Sequence, residues 1–213
     1  MGSVIKNPLG INIMLSEKGE CYMDMMDLMS MLSNQENVEK ISGQVGADTD
    51  KVKKVVDLGI PTIMQAMGRN AQSDDGAQAL LNALQQHQED DVEGMLQNPS
   101  VIDKNDGEKI LSHILSSKDE QVKMGIAKEA GLGKDEVGGI LSQLAPLLMG
   151  VMGQQQKQQG VGTSGIASLV TDALGKSAKG GMMDIAAQFL DKDKDGSVVD
   201  DIGDMLGGMF GKK

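Results

Sequence analysis

The chain has 213 residues and a hydrophobic fraction of 39%, enough to build a packed core for one or two domains. Its net charge of -11 argues against the clustered basic surface by which proteins hold phosphate backbones or anionic membranes. The single cysteine, Cys21, excludes an internal disulfide framework, and an aromatic fraction of 1% counts against a sheet-based core, because strands favour aromatic and β-branched residues. With only Tyr22, Phe189 and Phe210 to draw on, the core falls to Leu, Ile, Val, Ala and 17 Met, and helices are the expectation. Methionine is flexible and polarizable, which suits core filling first and an adaptable groove second.

Residues 1–22 share no helical period with the rest of the chain, and they lack the basic start and apolar stretch of a signal peptide. No uninterrupted apolar run reaches the length of a membrane span, so a cytoplasmic protein is expected. Met1-Gly2-Ser3 looks like a myristoylation start, but Lys6 stands where Ser or Thr is required. Lys18-Gly19-Glu20 can be encoded by a purine run of the kind that positions bacterial ribosomes. Translation is therefore expected to start at Met23, with residues 1–22 a leader that has no fold of its own.

From Met23 onward the chain repeats. A shift of 85 residues aligns Ile41 with Ile126, Gly46 with Gly131, Asp50 with Asp135, Val52 with Val137 and Pro61 with Pro146, without a gap. The match continues from Met64, Met67 and Gly68 to Met149, Met152 and Gly153, and reaches back to Met25, Met26 and Met29 against Ile110, Leu111 and Ile114.

Within the first copy, Met25, Leu28, Met29 and Leu32 put one apolar stripe on a first helix. Ser33 with Glu36 is a capping-box pair that predicts a second helix carrying Val38, Ile41 and Val45, ended by a left-handed turn at Gly46. Asp48-Thr49-Asp50 starts a third helix bearing Val52, Val55 and Val56, which is expected to kink or to stop and restart at Pro61, as its counterpart is at Pro146. Asp75-Gly76 opens a further amphipathic helix with Leu80, Leu81 and Leu84, and Glu89-Asp90-Asp91 with Asn98-Pro99-Ser100 reads as solvated linker. The organisation is then a leader at 1–22, a helical unit at 23–72, a helical linker at 73–105, a second unit at 106–153, a polar and Gly-rich linker at 154–165, and C-terminal helices at 166–213.

One constellation carries chemistry. Asp191-Lys192-Asp193-Lys194-Asp195-Gly196-Ser197-Val198 matches the first eight positions of an EF-hand loop: three carboxylates for a hard cation, a glycine for the sharp turn, and the Ser197 carbonyl. Apolar residues flank it at helical spacing, Ile185, Ala186, Phe189 and Leu190 before and Ile202, Leu206, Met209 and Phe210 after. The twelfth position holds Ile202 in place of the bidentate Glu, with Asp200 and Asp201 one or two residues early, so the competing reading is an acidic turn between two helices. The candidate ligands are Asp191, Asp193, Asp195, Ser197, Asp200 and Asp201, for Ca²⁺ or for Mg²⁺ with retained waters.

His87 and His113 are the only histidines and are read as surface or boundary residues on separate helices, which argues against a zinc site. The sequence carries no P-loop, dinucleotide fingerprint or nucleophile elbow. The duplicated unit, together with the tail from Asp191 to Gly203 and its ending Gly207-Gly208-Met209-Phe210-Gly211-Lys212-Lys213, resembles the bacterial DUF937 family, whose relatives include the YidB-like proteins. The resemblance runs from about Met23 to Lys213, with the tail its most specific part. It implies an all-helical fold of two similar subdomains and brings no catalytic residues with it. The chain departs from the family's Leu, Ala and Gly richness by placing Met at many core positions.

The expectation is an all-α, non-enzymatic interaction or structural protein, with a cation in the C-terminal loop and a protein partner in a Met-lined groove. The sequence assigns neither that partner nor an oligomeric state. A helix-turn-helix-like nucleic-acid binder is the second reading, opposed by the acidity, and an enzyme of unrecognised type is the third.

Overall fold

In the computed structural model the described residues are 4–6, 12–15, 21–22, 25–32 and 34–177. Three short strands, β1 (Val4–Lys6), β2 (Asn12–Leu15) and β3 (Cys21–Tyr22), form an antiparallel meander in which Ile5 pairs with Ile13 and Met14 with Tyr22. No element was expected there. Val4-Ile5 and Ile11 to Leu15 are short β-branched and apolar runs parted by Asn7-Pro8-Leu9-Gly10 and Ser16 to Glu20, a strand-and-turn pattern to which a search for helical period is blind.

From residue 25 on, every described element is helical. Helix α1 (Met25–Leu32) buries Met25, Leu28 and Leu32 completely. Helix α2 (Gln35–Val45) starts at Asn34, whose Oδ1 accepts the Glu36 N–H at 2.9 Å, so the cap falls one residue after the expected Ser33; Asn serves as well as Ser in that role. Gly46 ends the helix at φ 71°, its N–H donating to the Ser42 carbonyl at 2.8 Å. Helix α3 (Thr49–Asn70) is capped by Asp48 and continues through Pro61. A proline inside a helix costs about 3 kcal/mol. Burial offsets that cost, since every residue from Leu58 to Met64 is buried.

Helix α4 (Asp74–His87) is capped by Ser73, and the expected solvated linker after it holds a short helix, α5 (Val92–Gln97), capped by Asp91 and followed by a 3-10 turn at Pro99–Val101. Val92, Leu96 and Pro99 are buried, which is why this stretch folds down instead of looping out. Helix α6 (Lys104–Leu115) follows from an Asp103 cap, and α7 (Asp119–Ala130) ends at Gly131 with φ 69°.

The longest helix, α8 (Lys134–Gln159), also runs straight through its proline, Pro146. It absorbs residues 154–159, which composition alone assigns to a linker. Two side chains there have tertiary partners, Gln154 Nε2 donating to the Asp90 carbonyl at 3.0 Å and Lys157 pairing with Glu89, while Gln156 Nε2 donates locally to the Val161 carbonyl at 2.7 Å. Gly160 caps the helix at φ 60°, and after a 3-10 turn α9 (Ile166–Ser177) closes the described chain. By length and composition alone helix α8 could cross a membrane, although polar residues interrupt its apolar run, and most of its apolar stretch is buried inside the bundle.

Helices α3 and α8 cross at the centre, and the others pack around them: α4, α6 and α7 on α8, and α2, α7 and α9 on α3, with α1 lying on α9. One continuous core runs from Met25 to Ala173, so the sequence-defined units are not separately packed bodies.

Candidate functional site

The loop residues proposed as cation ligands, Asp191, Asp193, Asp195, Ser197, Asp200 and Asp201, lie outside the described residues. Among the described residues, no group of three or more His, Cys, Asp or Glu side chains is placed to hold a metal ion.

A different feature stands out where α4 and α6 flank α8. Both are clamped to α8 through glycines. A methyl group on Gly153 would overlap the Leu84 carbonyl and lie 3.0 Å from Gln88 Cα, and one on Gly107 would overlap the carbonyl of Ser142. That carbonyl cannot receive its usual helical hydrogen bond, because the residue four places on is Pro146. With each helix held close to α8, α4 and α6 make little contact with one another. Between them lies a cleft of about 590 Å³.

Its floor is apolar: Met67 from α3 and Met149 from α8 meet Leu80 and Ala83 of α4 and Ile110 and Ile114 of α6. Its rim is polar. His87 Nδ1 lies 2.8 Å from Asp90 Oδ2, and Nε2 is 3.8 Å from Asp106 Oδ2, so the imidazole sits between two carboxylates with 14% of its side chain exposed. Lys109 and His113 follow Asp106 along α6 and line the same cleft. At the far end Asn70 Nδ2 donates to the Ile114 carbonyl at 3.0 Å, tying the end of α3 to that of α6.

Ser116, at the same end, has φ 50°, the one positive φ outside glycine among the described residues. Its hydroxyl donates to the His113 carbonyl at 3.2 Å, which holds the chain in this turn as α6 gives way to α7. Such strain costs on the order of 1–3 kcal/mol and clusters at ligand-binding sites.

His87 is half-buried and His113 exposed, as the surface or boundary reading of each has it, and the two helices that carry them flank one cleft. Part of this was legible: Leu80, Leu84 and His87 fall on one face of α4, and Asp106, Lys109, Ile110 and His113 on one face of α6. That the two faces flank one hollow depends on both helices docking on α8, which no local spacing encodes.

A family model described as a bacterial protein of unknown function, DUF937, matches residues 27–155, more than half of the chain and the span from within α1 almost to the end of α8. No curated protein and no solved structure matches the chain.

Proposed function

The chain belongs to the bacterial DUF937 family, and from that membership and the α4–α6 cleft we propose a non-enzymatic binding protein that holds an apolar or amphiphilic ligand between these two helices. The observation that carries this reading is the cleft itself: a concave space of about 590 Å³ in which apolar side chains of four helices are ringed by polar ones. Small-molecule sites commonly run from about 300 to 1,000 Å³, and this cleft falls within that range. Met67 and Met149 are covered by the surrounding helices, and their unbranched thioether side chains can reshape at little cost to admit a ligand.

The scaffold around the cleft is two copies of a three-helix unit, α1–α2–α3 and α6–α7–α8. Three features at the 85-residue spacing support this: the starts of α3 and α8, the left-handed caps Gly46 and Gly131, and the prolines Pro61 and Pro146. The cleft arises where the copies differ. Gly107, which lets α6 seat on α8, has Tyr22 as its counterpart ahead of α1. For the acidic loop at Asp191, Asp193 and Asp195 we propose a Ca²⁺ or Mg²⁺ site, on the spacing of its carboxylates alone.

The test is binding of N-phenyl-1-naphthylamine, a neutral apolar dye that fluoresces on leaving water. The full chain should enhance its emission saturably, and Ala83→Trp, which fills the cleft wall, should abolish the enhancement while leaving the helical circular dichroism unchanged. Equal enhancement by both proteins would put the dye elsewhere and remove the support for this reading.

A further inference from the structure

Helix α2 packs on α8, and α7, which lies 85 residues further on, packs on α3. The two helices are anchored unequally. Four buried side chains hold α7, Val122, Ile126, Ala127 and Ala130, whereas two hold α2, Val38 and Ile41. Gly43 sits inside α2, and a methyl group there would meet nothing within 4 Å, so no packing demand calls for a residue that weakens a helix. The corresponding residue of α7 is Lys128, an ordinary helix former.

The α8 surface that receives α2 carries a second weakness. A methyl group on Gly139 would lie 3.7 Å from Val45 Cγ1, which sets that face of α8 against the end of α2. Gln143 follows one turn along the same face and is fully buried. Its Nε2 donates to the Gly139 carbonyl at 3.1 Å, while its Oε1 has no hydrogen-bond partner among the described residues. A buried acceptor without a partner has lost its water and gained nothing in exchange. On α3, which receives α7, the corresponding residue is Leu58, whose side chain has no polar atom to satisfy.

We propose that α2 is a strap that lifts from α8 by local unfolding while the rest of the core stays in place. Opening hydrates the Gln143 amide and withdraws only Val38 and Ile41 from the core, so it disturbs less buried surface than the same motion of α7. Met25, Leu28 and Leu32 fix α1, and the buried run from Leu58 to Met64 fixes α3, which confines the opening to the stretch between Asn34 and Asp48. The face of α8 around Gln143 is then accessible in the open state alone.

Native-state hydrogen exchange of the full chain, followed amide by amide by NMR, tests this. Once intrinsic rates are divided out, α2 should exchange at least about tenfold faster than α7. Gln143→Leu should slow α2 by about tenfold, as expected for removing one buried unpaired acceptor, and leave α7 unchanged. Gly43→Ala changes an exposed position with open space around it, so it keeps the test valid if the core variant misfolds, and it should slow α2 by about fivefold. Equal protection of α2 and α7, or variants that slow both helices alike or neither, would overturn the proposal.

Discussion

Gly59 and Leu144 meet where α3 crosses α8: a methyl group built on Gly59 would lie 3.7 Å from Leu144 Cδ1 and 2.5 Å from Leu141 Cδ2. They stand 85 residues apart, so at the centre of the fold a residue faces its own counterpart in the proposed repeat. A pair of leucines would overfill this crossing; glycine on one helix admits leucine on the other. Gly59→Leu should lower stability by about 1–3 kcal/mol through overpacking. Relieving the close contact, Gly59→Leu with Leu141→Ala, should recover part of that loss. Urea denaturation of the wild type, both single variants and the double variant checks it, and strict additivity would mean the two side chains do not share this space.

Gly46 and Gly131 offer a simpler comparison. Both sit in the left-handed region, at φ 71° and 69°, and a methyl group at either would meet nothing within 4 Å. Substitution by Ala therefore tests backbone strain alone, at about 1 kcal/mol each. The two variants should lose similar stability in chemical denaturation, and a several-fold difference would show that the caps carry unequal tertiary demands.

At Gly107 the obstacle is backbone. Ala there overlaps the Ser142 carbonyl, which cannot swing aside, whereas Ala at Gly59 meets the mobile tip of Leu141. Gly107→Ala should cost about 1–3 kcal/mol and exceed Gly59→Ala. Since α6 forms one wall of the cleft, the same variant should also alter dye affinity, which separates it from a change in stability alone.

The Glu120–Lys134 pair joins the first turns of α7 and α8 at 2.7 Å. The hydrogen bond from Lys134 and its charge hold the Glu120 carboxyl below its ordinary pKa, and the same partner raises Lys134. A lowered carboxyl pKa contributes stability above the unfolded value and loses it as pH falls through the folded one. In an NMR titration Lys134→Gln should return Glu120 toward the ordinary glutamate range. The effect on stability should be small, because both groups are in water.

The sequence by itself determined the local decisions of the helical region. The apolar stripes of α1, α2 and α3, the Asp48 start and the glycine stops were all legible, because each depends on residues within a turn or two of one another. Tertiary structure decided the rest. Pro61 and Pro146 remain inside helices because those helices are buried on nearly all sides, and residues 154–159 stay helical because Asp90 and Glu89 receive Gln154 and Lys157 from across the fold. The cleft exists because Gly107 and Gly153 press α6 and α4 onto α8 instead of onto each other. These outcomes turn on contacts between residues tens of positions apart, and a local period carries no information about which distant faces will meet.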